Sequence, residues 1–167
     1  MIICIFGQSC AGKTATAQRL ATELGWPLRS CGTAVRERAR ELKIGIGELS
    51  DNQHRDVDAE TVAWAIEQQN CLVEGRFLDA VFQPAEIPHV LVHLIASDAA
   101  RVERCRARQG QNDLIAADNE DMSFRSRIFP LLSPREADLT VDTTGQSIDE
   151  GTQCILSFIQ TKLPPLA

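Results

Sequence analysis

The sequence has 167 residues, 44% of them apolar and 24% charged, with a formal net charge of −6 at neutral pH. That length suits one domain with its own core. The acidic balance argues against a nucleic-acid polymer or a membrane surface as partner, and no window approaches the roughly 18 consecutive apolar residues of a membrane span. The cations are mostly arginine, 14 against 3 lysines. Arg101, Arg104, Arg106 and Arg108 crowd one short segment. A guanidinium fork grips phosphate with two parallel hydrogen bonds, so such a chain suits small phosphorylated ligands.

The elements alternate between strand and helix. MIICIF (1–6) is a short continuous apolar run, as a buried parallel strand should be. With no basic n-region and no small-residue cleavage site it reads as a first strand, which makes the cytoplasm the expected location. Residues 13–24 place Ala17, Leu20, Ala21 and Leu24 on one helical face, and Gly25 ends that helix. WPLRS (26–30) is a short second strand, and 32–43 a charged helix with Val35, Ala39 and Leu42 as its stripe. IGIGELSD reads as a loop broken by Gly45 and Gly47. A long helix over 53–69 turns Val57, Val62, Ala65 and Ile66 inward.

CLVEG (71–75) is another buried strand, 77–83 a short helix stopped by Pro84, and HVLVHLIA (89–96) a β-branched strand. Asp98 is a candidate cap for a helix over 99–109. The polar stretch 110–122 overlaps a helix over 113–129. DLTVDTT (138–144) is the last strand and 147–161 the closing helix. Strands separated by helices imply parallel pairing, right-handed crossovers and an α/β sandwich with helices on both faces.

The six cysteines, at 4, 10, 31, 71, 105 and 154, include no C-x-x-C pair. Free thiols are therefore expected. His54, His89 and His93 show no ligand spacing with them and read as structural or exposed. Asp142, at the end of the last strand, reads as a turn residue.

The chemistry concentrates in GQSCAGKT, Gly7 to Thr14, which follows the first strand, opens a helix and fits G-x-x-x-x-G-K-[ST]. Gly7 and Gly12 permit positive φ and close approach to a phosphate. Successive N–H groups of Gln8, Ser9, Cys10, Ala11, Gly12, Lys13, Thr14 and Ala15 form an anion nest at the positive end of a helix. Lys13 is expected to reach the outer phosphates of a nucleotide, and the Thr14 hydroxyl to be a Mg²⁺ ligand. Cys10 reads as a small tolerated residue in that loop.

A phosphate loop alone does not separate kinases from GTPases or motors. No N-K-x-D for guanine is present, and an AAA-type motor needs a longer chain and a stronger acidic box than CLVEG with its single Glu74. Glu74 is a candidate for ordering a magnesium-bound water. Arg76 follows it at a strand's C-terminal end, where open α/β sheets bind ligands. Arg36 lies on the helix after the second strand, though its charged neighbours leave a solvated salt-bridged face as the alternative. Arg104 and Arg108 share a helical face, and Arg125 and Arg127 follow the polar segment. Transfer of a phosphoryl group between two anions needs such cations.

On the pieces MIICIFGQSCAGKTATAQRLATEL, SCGTAVRERARE, CLVEGR, RVERCRARQG and DLTVDTT, in order along most of the chain, the sequence resembles the short form of the cytidylate kinases, within the P-loop nucleoside monophosphate kinases. The resemblance implies a three-layer sandwich with a five-stranded parallel sheet in the order 2-3-1-4-5. It also implies an acceptor-binding helical insertion over about 31–69 and a lid over about 109–124, within a single kinase domain, 1–167. It assigns Arg36 and Arg76 to the acceptor's phosphate and Arg104 to the adenine. Arg108 falls to the phosphates, and either Arg125 or Arg127 to closing over the reacting centre. The expected reaction is Mg²⁺-dependent transfer from ATP to CMP or dCMP by a monomer. The rivals are a kinase for AMP, UMP or a shikimate-like acceptor, or a nucleotide-binding regulatory module with weak ATPase activity. An alcohol acceptor would need a carboxylate base, for which Asp56, Asp58 and Glu74 are the candidates.

Overall fold

Five short strands, β1 (Ile2–Phe6), β2 (Leu28–Ser30), β3 (Cys71–Gly75), β4 (His89–Ile95) and β5 (Leu139–Asp142), pair in parallel in the order β2-β3-β1-β4-β5. The computed structural model describes residues 1–109 and 114–162, with the backbone alone at 108, 109, 115 and 116. The helices are α1 (Lys13–Leu24), α2 (Cys31–Leu42), α3 (Asp51–Gln68), α4 (Leu78–Val81), α5 (Asp98–Gln109), α6 (Leu114–Ile128) and α7 (Ile148–Lys162).

Side-chain alternation along β1 builds both halves of the core. Ile3 and Ile5 join Ala17 and Leu20 of α1 and Ile155 and Ile159 of α7. Ile2 and Cys4 face the other way, into Ala65 of α3, Leu78 of α4 and Phe82. A strand buried on both faces must read as a continuous apolar run, which is why MIICIF carries no polar alternation. The register sets Ile5 beside Glu74 and Phe6 between Gly75 and His93. The chain leaving β1 therefore emerges between the ends of β3 and β4, the position from which a central strand presents a binding loop.

Several details differ from expectation. IGIGELSD contains a 3-10 turn, Ile46–Glu48, and a second one, Gln83–Ala85, takes in Pro84. Ile66 and Leu42 are exposed, and Thr61 fills the inward position on α3, where its hydroxyl is satisfied by the Val57 carbonyl at 2.8 Å. Ser97, not Asp98, caps α5: its hydroxyl accepts from the Ala100 amide, while Asp98 is the first helical residue. Free thiols are found at Cys4, Cys31, Cys71 and Cys154, but Cys10 and Cys105 form a disulfide. Their separation of 95 residues hides the pairing in the sequence. Parallel β1 and β4 bring the loop after one next to the helix after the other. No helix among the described residues is long and apolar enough to cross a membrane.

Candidate active site

The loop after β1 is shaped by three left-handed or near-left-handed residues: Gly7 at φ 146°, Cys10 at 62° and Gly12 at 92°. Gly7 is sterically obligatory, because a Cβ there would collide with the Leu94 carbonyl oxygen of β4. Lys13 is buried and its ammonium folds back over the loop, donating to the Gln8 carbonyl at 2.7 Å. The first turn of α1 has no acidic residue, and Gly12 supplies no side-chain cap. Its N–H groups are thus left to an anion. This arrangement fits the triphosphate of ATP, and the Thr14 hydroxyl, one residue into α1, suits a metal that keeps most of its ligands as water and phosphate. Among the described residues no group of three or more His, Cys, Asp or Glu is gathered around a metal-sized space.

Arg101 was legible only as one member of an arginine cluster, yet it is the residue that grips the loop. Its side chain is 0% exposed. Nε donates to the Ser9 carbonyl at 2.9 Å, and Nη1 to Gln8 Oε1 at 3.0 Å and to Asp98 Oδ1 at 3.1 Å. Nη2 donates to Asp118 Oδ1 of α6 at 2.5 Å. The signal was its place in the first turn after β4, the strand beside β1. The Cys10–Cys105 disulfide ties the same loop to the same helix one turn further on. Arg104 donates to the hydroxyl of Thr143 at 3.0 Å and to its carbonyl at 2.5 Å. The Thr143 hydroxyl in turn donates to Ala11 at 3.0 Å, so α5 and the end of β5 both brace the loop. The side chain of Arg108 lies outside the described residues, as do residues 110–113 of the expected lid.

Beyond the loop, Glu74 and Arg76 occupy the end of β3. Glu74 is buried and accepts from the hydroxyl of Ser30, the residue that caps α2. Arg76 pairs with Asp121 of α6. Arg36 is exposed and donates to Thr33 Oγ1 at 2.9 Å, with its guanidinium over Gly32. Among the described residues it has no carboxylate partner, whereas its neighbour Arg38 takes both Glu41 and Glu60. The salt-bridged-face alternative therefore belongs to Arg38.

The two arginines after the polar segment part company. Arg125 makes a bidentate pair with buried Asp79, at 3.0 and 2.6 Å. Arg127 donates to Asp51 at the start of α3 at 2.8 Å and lies over the Phe124 ring. At Lys13, burial works against the ammonium most, Glu74 and Asp121 favour it, and Arg76 and Arg101 oppose it.

Burial lowers Lys13 from 10.5 to about 8, with Glu74 pulling the other way. On α3, burial lifts Asp58 from 3.8 to about 7. Burial, with Asp58 and Glu74 nearby, pushes the Cys31 thiol up to about 12, so it stays protonated. The histidines are structural: His93 stacks on Phe6, His89 bonds the Ile87 carbonyl, and His54 meets Phe124 edge-on. Asp142 accepts from the Thr144 amide at 2.9 Å and closes its turn.

A family model described as an AAA domain matches residues 3–125. The chain is 32% identical to a protein named "Putative adenylate kinase" from Thermococcus onnurineus, over 96% of this chain and 85% of that one. It is 26% identical to a cytidylate kinase from Pyrobaculum aerophilum, over 98% and 95%. In fold it is similar to shikimate kinase from Aquifex aeolicus, at TM-score 0.64, 17% identity and 97% and 98% coverage. It is also similar to a gluconokinase from Sinorhizobium meliloti, at TM-score 0.65 and 18% identity, over 97% of each chain.

Proposed function

The chain belongs to the P-loop nucleoside monophosphate kinase family, and from that premise we propose that it transfers the terminal phosphoryl group of ATP to CMP or dCMP. The observation that carries this reading is the phosphate loop with its buried Lys13, which leaves β1 beside the end of β3 where Glu74 and Arg76 stand. That grouping supplies one cation for the donor phosphates and one for a second anion.

In this reading the amides from Gln8 to Ala15 and the Lys13 ammonium hold the donor phosphates, and Thr14 holds Mg²⁺ with Glu74 ordering its water. Bound Mg²⁺ supplies charge neutralisation across the transferring phosphates. Arg76 and Arg36 orient the acceptor's phosphate, which is itself the nucleophile, so no strong base is required. Arg104 lies along the adenine, and Arg108 reaches the phosphates. Either Arg125 or Arg127, just after the lid, closes over the reacting centre after leaving its present carboxylate. The insertion over about 31–69 receives the acceptor, and the lid over about 109–124 covers it. We take the active unit to be a monomer acting in the cytoplasm.

One observation favours a second reading. Asp58, held near neutrality on α3, is suited to accept a proton from a hydroxyl acceptor. Incubation with ATP and a panel of CMP, dCMP, AMP, UMP and shikimate separates the two readings. Fastest turnover of CMP or dCMP supports the first. A hydroxyl acceptor turned over faster than every monophosphate replaces it, and slow ATP hydrolysis alone would refute both.

A further inference from the structure

The lid-side helix α6 grips the segment after β3 at three consecutive points. Asp121 pairs with Arg76, Phe124 stacks on Phe77 at 5.5 Å, and Arg125 clasps Asp79. These three α6 residues, at spacings of three and one, lie on one helical face. Asp121 is the more buried partner of its pair, its side chain 14% exposed against 52% for Arg76. Its charge is also felt at Lys13, while its direct partner is Arg76. Asp118, one turn earlier, sends a second carboxylate to Arg101. A carboxylate held by an arginine beside the phosphate-loop lysine occupies the chemical position of a phosphate monoanion.

We propose that Asp121 is a resident competitor for the acceptor's phosphate: it holds Arg76 until a phosphate monoester displaces it. This rests on the reading of Arg76 as an acceptor-phosphate residue. A phosphate monoester near neutral pH carries about −1.5 to −2 charges and three acceptor oxygens. It outcompetes a singly charged carboxylate, whereas an uncharged acceptor has nothing to exchange for it. Asp121 thereby determines specificity, setting an entry threshold that phosphorylated acceptors meet. Its burial supports the exchange, because removal from water pushes its carboxyl above the usual range and weakens its hold.

The test compares wild-type protein with Asp121→Asn, and with Asp121→Ser as a guard against an effect of the amide itself. Steady-state kinetics give KM for CMP, and phenylglyoxal labelling read by mass spectrometry at Arg76 reports how free that guanidinium is. Both variants are expected to lower KM for CMP about fivefold, the size of a half-exposed ion pair, and to speed labelling of Arg76 by a similar factor. An unchanged or raised KM, or an unchanged labelling rate, overturns the proposal. If the wild-type protein phosphorylates no nucleoside monophosphate, the functional reading fails separately, and the labelling rate, which needs no turnover, still decides whether Asp121 restrains Arg76.

Discussion

Arg101 Nε donates to the carbonyl oxygen of Ser9 at 2.9 Å, across 92 residues of chain. With Gln8, Asp98 and Asp118 on its other nitrogens, the guanidinium is fully enclosed and every nitrogen is bonded. Its removal strands Asp118 and opens the loop. Arg101→Ala is expected to lose about 3–5 kcal/mol of stability, as removal of one partner from a buried pair does, read by urea denaturation. ATP affinity is expected to fall with it. Arg101→Lys, which cannot span all four acceptors, should fall between. A loss under about 1 kcal/mol in the alanine variant would show that the loop is held by other means.

Lys13 should trade stability for activity. Its folded value, about 8 against 10.5, means that the unfolded chain binds more protons between those values. Stability from this group therefore rises with pH through that window, and its burial cost is full at pH 7. Lys13→Met is expected to melt no lower than wild type at pH 7, while kcat falls at least about a hundredfold. In the wild type, kcat/KM for ATP should decline as pH rises past about 8, since only the ammonium form serves a phosphate.

Asp58 gives the opposite sign. A carboxyl raised from 3.8 to about 7 binds more protons in the folded chain, so stability is lost as pH climbs from the lower value to the upper. Asp58→Asn should raise Tm at pH 8, and the gain should shrink to nothing toward pH 4. A gain independent of pH would point to packing instead.

Reduction of Cys10–Cys105 releases a loop of 95 residues. On a chain-entropy account such a crosslink contributes about 4–5 kcal/mol. Thermal melts with and without dithiothreitol should differ accordingly, and Cys105→Ser should match the reduced protein and lose the response. Equal melting temperatures would mean that the thiols are apart in solution.

How much of this was readable varies with the range of the interaction. GQSCAGKT, the apolar strands and the Gly25 stop of α1 were legible because each rests on neighbours within a few residues. The position of Glu74 and Arg76 at the end of β3 was legible because the apolar run CLV marks the strand they close. Arg101, Asp118, Asp121 and the disulfide were not, since each depends on β4 lying beside β1 and on α6 crossing the end of β3. In sequence, the carboxylates of 110–122 read only as part of a polar stretch. Instead, two of them terminate on arginines of the site. Ile66 shows the converse failure, because helical periodicity alone cannot say how wide the buried stripe on α3 is.

The rod formed by α6 touches the donor loop through Arg101, the strand end through Arg76 and Asp79, and α3 through Asp51. A rigid body fastened at both ends cannot lift from one alone. Loosening the helix on the acceptor flank is expected to slacken the nest on the donor flank, so that in the proposed reaction each guest would alter the welcome given to the other, by thermodynamic reciprocity to an equal extent.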